Sequence, residues 1–394
     1  MNSTEAAVLE VLKASLFDGK IDLLDHIDWR EVYKELHAHA VTWLPTDILP
    51  EFSGLDEEAK KAWTMGAVRN MQRNYHILQE QDVLLKLLAA KGLKAVVIKG
   101  AAAAIHYPQP DYRCMGDVDL LLKEDEADKA LVLMQEHGYR LSFPVDHSNR
   151  HYNLNKNGVE FEVHKSFSPV IDEILFEGMT DIQRGKLDDF EIPMLPELHN
   201  GLVFLVHAIV HLRVGIGLRH ILDWVMYAYA VLDDAFWATS LQPVLKGLGL
   251  EEFAIVLTRM GQMYLGLPQE NRTFCRCTDE AVCRELMAYV LDNGNFGVKN
   301  GKMGAAAGTL TEFGSVKELF VMLQKRGCIT YENRIRKYPF LKPFAWLMRI
   351  GDLLLRGLRR GIGLDTMRSS FQESRKRVHL LDKLGVRGIS EHKH

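Results

Sequence analysis

Hydrophobic spacing changes period twice along the chain. Up to about residue 90, apolar side chains recur at helical intervals: Ala6, Val8, Leu9, Val11 and Leu12 mark an early face, and Ile77, Leu78, Val83, Leu84, Leu87 and Leu88 a later one. After Lys91-Gly92 the runs shorten. Ala95-Val96-Val97-Ile98, bounded by Gly92 and Gly100, is too short for a helix and suits a buried strand. Val118 to Leu122 reads as the next strand, and Tyr139 to Phe143, Tyr152 to Leu154 and Val159 to His164 alternate well enough to be further ones. Asn157-Gly158 predicts a tight hairpin, because a primed turn needs left-handed dihedrals. From about Pro196 helical spacing returns, interrupted at Gly215-Ile216-Gly217. This patterning predicts an α+β fold, with a small mixed sheet over roughly residues 90–165 set between helical regions. The divisions fall at 1–90 (helical), 91–195 (the α/β core) and 196–394 (helical, with a basic amphipathic tail).

Local signals sharpen the helices. Asp56 before Glu57 and Glu58 predicts a helix start, since acids are favourable beside the N-terminal dipole, and Gly92 is placed to cap that helix. Ala101 to His106 predicts a short helix stopped by Pro108 and Pro110, and Asp125 to His137 another, capped by Gly138.

Within this frame Asp117-Val118-Asp119 is the most informative stretch. Residues two apart on a strand project to one face, so both carboxylates point together, and a divalent cation would offset their repulsion. Alone, the pattern also describes a solvated strand entrance. Two neighbours add weight. Ile98-Lys99-Gly100-Ala101 ends a strand in Lys-Gly and opens a helix, a turn that favours phosphate. Lys99 can supply a point charge there or pair with Asp117 or Asp119. Downstream, Glu160, Glu162 and His164 share one strand face opposite Val159, Phe161 and Val163. Arg113, between the short helix and the acids, is a candidate bidentate phosphate ligand.

At these residues the chain resembles the uncharacterised bacterial nucleotidyltransferases of the polymerase-β-like superfamily. The resemblance runs from Val97 to Leu122, with Tyr139 and Glu162-Val163-His164 downstream. Less specifically, it extends to His207, His211, Gly215-Ile216-Gly217-Leu218-Arg219 and Asp223-Trp224. It implies a nucleotidyltransferase core in which Gly100 stands for the glycine turn, Asp117 and Asp119 for the metal pair and Glu162 for the third acid. Lys99-Gly100 replaces the superfamily's Gly-Ser. The implied reaction is Mg2+- or Mn2+-dependent transfer of a nucleoside monophosphate from a nucleoside triphosphate to an acceptor hydroxyl. Asp117, Asp119 and Glu162 would be catalytic and metal-binding, and Lys99, Gly100 and Arg113 would hold the nucleotide. The acceptor is a small molecule, a sugar or a protein. The alternative is a non-catalytic nucleotide- or metal-binding protein of the same fold, though all three acids are retained.

Other features carry less. His207 and His211, four apart on an apolar helix without an intervening Glu, read as core or domain-interface histidines rather than metal ligands. Arg219 and Asp223, also four apart, are expected to pair. Cys275, Cys277 and Cys283 lack a second pair at zinc-ribbon spacing and read as ordinary thiols in a reducing cytoplasm. A net charge of -4 argues against a protein that coats duplex DNA. Residues 341–394, however, carry 12 Lys and Arg against 5 Asp and Glu. There Trp346, Leu347, Ile350, Leu353, Leu354 and Leu358 form an apolar face ringed by Arg349, Arg356, Arg359 and Arg360. Docking of this helix on its own domain is expected, with peripheral contact to an anionic membrane as the alternative. No apolar run approaches the ~18 residues of a membrane span, and the first 20 residues lack the basic start of a secretory signal.

Overall fold

A computed structural model describes residues 1–17, 21, 27–143, 150–300, 316–359 and 375–389. Its strands are β1 (Val96–Val97), β2 (Val118–Leu121), β3 (Arg140–Leu141), β4 (His151–Lys156), β5 (Val159–His164), β6 (Gln183–Leu187) and β7 (Phe190–Met194). They form one mixed sheet in the order β3-β4-β5-β2-β1-β7-β6. Helices α1 (Ser3–Phe17), α2 (Trp29–Ala38) and α3 (Glu57–Ala90) precede it. Helices α4 (Gly100–Ala104), α5 (Glu124–Glu136) and α6 (Asp172–Gly178) connect its strands, and α7 (Glu197–Val214) and α8 (Leu218–Ala230) follow. The protein is α+β.

The predicted punctuation has physical counterparts. The Asp56 side chain caps α3 by accepting from Ala59 N at 2.7 Å, and Gly92 ends the helix with φ +72°. At the β4–β5 turn Asn157 and Gly158 both take positive φ, and the hairpin runs in unbroken register from Lys156↔Val159 to His151↔His164. The sheet is larger than the sequence suggests. The hairpin β6–β7 lies beyond residue 165, and β7 joins β1 in parallel at Val97↔Met194. Its turn is Asp188-Asp189, with Asp188 at φ +48°. Aspartate tolerates that conformation, but without glycine the turn is inconspicuous in sequence.

The sheet separates two apolar clusters. Val97, Val118, Leu120, Leu122, Phe161 and Val163 pack against Ile77, Leu78, Leu84 and Leu88 of α3 and Ala127, Ala130 and Met134 of α5. Val96, Ile98 and Leu121 turn to the other face and join a cluster with α1, α7, α8 and the helices Glu251–Tyr264 and Glu280–Asn293. Because side chains alternate along a strand, Asp119 shares this second face with Leu121. The carboxylates therefore look toward the helices beyond Pro196.

Near the C-terminus, the helix Ala345–Arg359 lies on the helix Val316–Thr330. A Cβ at Gly327 would stand 2.3 Å from the Ala345 carbonyl oxygen, and the Phe320 and Trp346 rings are 5.2 Å apart. The terminal helix is thus docked on the chain itself. Arg360 lies outside the described residues, as do the side chains of Leu353, Leu354, Arg356, Leu358 and Arg359. Cys275, Cys277 and Cys283 are free thiols, the first and last of them buried. Among the described residues no helix is long and apolar enough to cross a membrane.

Candidate active site

Two parallel strands assemble the acids. β2 and β5 pair with Asp119 opposite Glu162, so both side chains leave the sheet on one side, about 4.8 Å apart along the hydrogen-bonding direction. Asp117, two residues back, joins them. Ligand oxygens of Asp117, Asp119 and Glu162 all lie within 4.8 Å of one another.

The loop that delivers Asp117 is held from two sides. Asn74 of α3 donates to the carbonyls of Asp111 and Arg113 at 2.9 Å and accepts from Met115 N at 3.2 Å. Asn70, one turn earlier on the same helix, also donates to Asp111 O. Both asparagines are buried, and sequence reasoning missed them because a polar residue on a long helix is ordinarily solvated. From the other side, Arg113 reaches Asp223 of α8 with Nε and one terminal nitrogen, each at 2.8 Å, and the Tyr107 hydroxyl donates to the same carboxylate.

That pairing corrects two expectations. Arg113 is 4% exposed and its guanidinium fork is committed to Asp223, so it cannot serve as a bidentate phosphate ligand. Arg219 does not pair with Asp223. It points instead toward Cys114 O, 3.4 Å from one terminal nitrogen, and its buried Nε has no partner among the described residues. Arg219 is also the arginine whose charge is felt at Asp117. Arg113, not Arg219, is therefore the partner of Asp223.

The remaining cations sit among the acids. Lys99 Nζ is 2.5 Å from Asp119 Oδ1 and 3.8 Å from Glu162 Oε2. His164 Nε2 is 2.9 Å from Asp119 Oδ1 and 3.3 Å from Glu162 Oε2. On β4, Asn153 donates to Glu162 Oε1 at 3.2 Å, and His151 Nε2 is 3.8 Å from the same atom. Lys99 holds this place at φ +64°, ψ −154°, a backbone region almost confined to glycine. Gly100 follows at φ +41°, close behind the Asp117 carbonyl. α4 has only five residues, so its aligned peptides sum to little dipole, and the helix-end attraction for phosphate expected there is small.

Electrostatics divide the acids. Burial, reinforced by the Asp119 charge, pushes the Asp117 carboxyl up to about 6 despite Lys99. Burial would also raise Glu162, but the hydrogen bond from His164 and the charge of Lys99 hold it well below the usual carboxylate range. Burial opposes protonation of Lys99 and His164, yet their acidic partners outweigh it and both are shifted up. The acids are thus met by the Lys99 ammonium and by a His164 ring whose hold on a proton is strengthened. Their three hard oxygen donors suit a hard divalent cation. Asp117 is the acid least served by the existing cations, and its raised pKa marks the local demand for positive charge.

A family model described as an uncharacterised nucleotidyltransferase matches residues 25–266, a span containing every strand and helices α3 to α8. The chain belongs to this family. No curated protein matches it. Membership supports a nucleotidyl-transfer role with a nucleotide as substrate. The matched span also takes in His207 and His211 on α7, which the structure gathers with His220 of α8 into a separate cluster.

Proposed function

We propose that the protein transfers a nucleoside monophosphate from a nucleoside triphosphate to an acceptor hydroxyl, with Mg2+ or Mn2+ held by Asp117, Asp119 and Glu162. The observation that carries this reading is the in-register placement of Asp119 beside Glu162, with Asp117 completing an oxygen-donor trio within 4.8 Å. Bound there, divalent cations neutralise phosphate oxygens and favour an ionised acceptor oxygen. The acceptor hydroxyl gives up its proton to water, its oxygen bonds to the α-phosphorus, the bond from that phosphorus to the bridging oxygen breaks, and pyrophosphate leaves.

The chain's own residues divide the remaining work. Glu162, held strongly ionised, is suited to be a ligand and poorly suited to take the acceptor's proton. Lys99 neutralises Asp119, and were a divalent cation held by the acids its ammonium would be available to the triphosphate tail. Gly100 leaves the turn uncrowded for that tail. Arg219, with unused donors near Asp117, takes the phosphate-binding role that the sequence assigned to Arg113. The acceptor enters between the sheet and the helices beyond Pro196, the side that the acids face.

The deciding experiment incubates the protein with each α-labelled nucleoside triphosphate, Mg2+ or Mn2+ and pools of small-molecule, sugar and protein acceptors, scoring label transfer and pyrophosphate together. Transfer that disappears in Asp117→Asn supports the proposal. Metal-dependent nucleotide binding with no pyrophosphate from any pool would instead favour a non-catalytic binding protein.

A further inference from the structure

His207 and His211 occupy successive turns of α7, and His220 comes from the first turn of α8. Gly215-Ile216-Gly217 folds the two helices back on each other. The His207 and His211 Nε2 atoms are 3.0 Å apart, and the His220 ring stacks on that of His211 at 3.8 Å. One ring nitrogen from each of the three lies within 4.8 Å of the other two. His220 is 1% exposed, and among the described residues neither of its ring nitrogens has a well-formed hydrogen-bond partner, although the Gly217 backbone bears on the ring; the buried Nδ1 of His211 also lacks one.

An ordinary buried histidine is neutral and satisfied, with one nitrogen donating and the other accepting. Among the described residues His220 has no such well-formed pair, and a poorly paired buried polar group costs free energy. Burial holds all three imidazoles well below their usual basicity, with their mutual proximity adding at His207 and His220. The facing Nε2 atoms of His207 and His211 form a hydrogen bond in which one donates and the other accepts, so at least one lone pair is already turned into the cluster. We propose that His207, His211 and His220 form a transition-metal site of the zinc class, distinct from the carboxylate site and fastening the α7–α8 corner. Nitrogen donors select a borderline-soft cation, where the oxygen donors of the acid trio select a hard one. A tetrahedral ion with Zn–N distances of about 2.0–2.1 Å needs donors about 3.3 Å apart, close to the 3.0 Å of His207 and His211, and the His220 ring would turn out of its stack on His211 to join them.

The surroundings suit a closed corner. A Cβ at Gly215 would stand 2.1 Å from Gly297 N, and one at Gly217 2.8 Å from the Asn295 Cα. Glycine at both positions lets the segment Asn295–Asn300 approach and set the Phe296 ring 4.9 Å from His211. The charges of Arg219, Lys99 and Arg113 oppose a cation here, Lys99 reaching His207 and His211 from the carboxylate site, and Asp223 favours one at His211. Three protein ligands leave the fourth position for water or a substrate group.

The test uses the full chain, stripped with chelator and reloaded with Zn2+ or Co2+ in excess Mg2+, which occupies oxygen sites. Metal retained after desalting is counted, and the Co2+ visible spectrum reports tetrahedral nitrogen ligation. The expected result is one retained equivalent and an intense visible band, in the wild type and equally in the Asp117→Asn/Asp119→Asn double variant. His220→Phe should lose both, with at least a tenfold drop in affinity, while melting no lower than wild type when metal-free. His207→Gln, at a half-buried position, gives the same readout if His220→Phe does not fold. No retained metal in the wild type overturns the proposal. So does full retention in the folded histidine variant, or loss confined to the aspartate variant.

Discussion

Asp117→Asn should make the metal-free protein more stable. In the folded protein the Asp117 carboxyl is raised from 3.8 to about 6, chiefly by burial and then by the charge of Asp119. A shift of roughly two units at about 1.36 kcal/mol each sets an upper bound near 3 kcal/mol. Partial solvent screening reduces this to about 1–2 kcal/mol. At about 1 °C per kcal/mol for a chain of this length, the melting temperature at pH 7.5 should rise by about 1–2 °C. The sign follows from proton linkage. Between pH 4 and 6 the folded state holds a proton at Asp117 that the unfolded state has released, so the wild type loses stability as pH rises through that window. The asparagine variant has no such loss. The two melting temperatures should therefore lie close together near pH 4, diverge up to about pH 6.5 and run parallel above it. With Mg2+ and a non-hydrolysable triphosphate the order should reverse, because ligand binding stabilises only a protein that keeps its ligands. Calorimetric melting from pH 4 to 8, with and without these ligands, reads all three features. A variant that melts lower than wild type at pH 7.5 without metal, or a difference that ignores pH, would refute the reasoning.

At Lys99 the glycine-like backbone predicts an inverted preference. Lys99→Gly should be more stable than Lys99→Ala by about 1–2 kcal/mol, measured by denaturant titration, since each lacks the ammonium and only alanine keeps the strained Cβ. Glu162→Gln should lower turnover by orders of magnitude in a pyrophosphate-release assay, whereas Glu160→Gln, exposed on the same strand, should change it little. Asp223→Asn should destabilise the protein by about 3–5 kcal/mol in denaturant titration, because Arg113 would be left buried without its partner charge.

Much of the site was open to inspection in the sequence, and the limit can be located residue by residue. The Asn157-Gly158 turn fixes more than a hairpin. With two turn residues, Lys156 faces Val159, and counting outward puts Asn153 opposite Glu162 and His151 opposite His164. Those two β4 residues could thus have been placed beside the third acid by arithmetic alone. The contact of Asp119 with Glu162 could not, since β2 and β5 are parallel and the chain between them includes a helix and a hairpin, so nothing local sets their register. The pairing of Arg113 rather than Arg219 with Asp223 has the same origin. Four-residue spacing on α8 favours Arg219 with Asp223, but a buried bidentate partner 110 residues away takes the carboxylate first. Asn70 and Asn74 were invisible for a related reason, because their partners are backbone atoms of a loop about 40 residues downstream. His220 was legible as a third histidine nine residues after His211, and only the Gly215–Gly217 fold-back brings it alongside.

The bond between Arg113 and Asp223 also governs how this molecule can move. It ties the loop entering the acid strand to α8, and α8 belongs to the helical cluster on the far side of the cleft. Separating the two would strand a guanidinium and a carboxylate in apolar surroundings, at about 3–5 kcal/mol, which keeps the parted state below roughly one molecule in a hundred. The sheet and the helices therefore share a fixed fulcrum beside the acids. Under the proposed reaction, a widening that admitted an acceptor would have to rotate about that point, opening most at the rim farthest from Arg113 and least near Asp117.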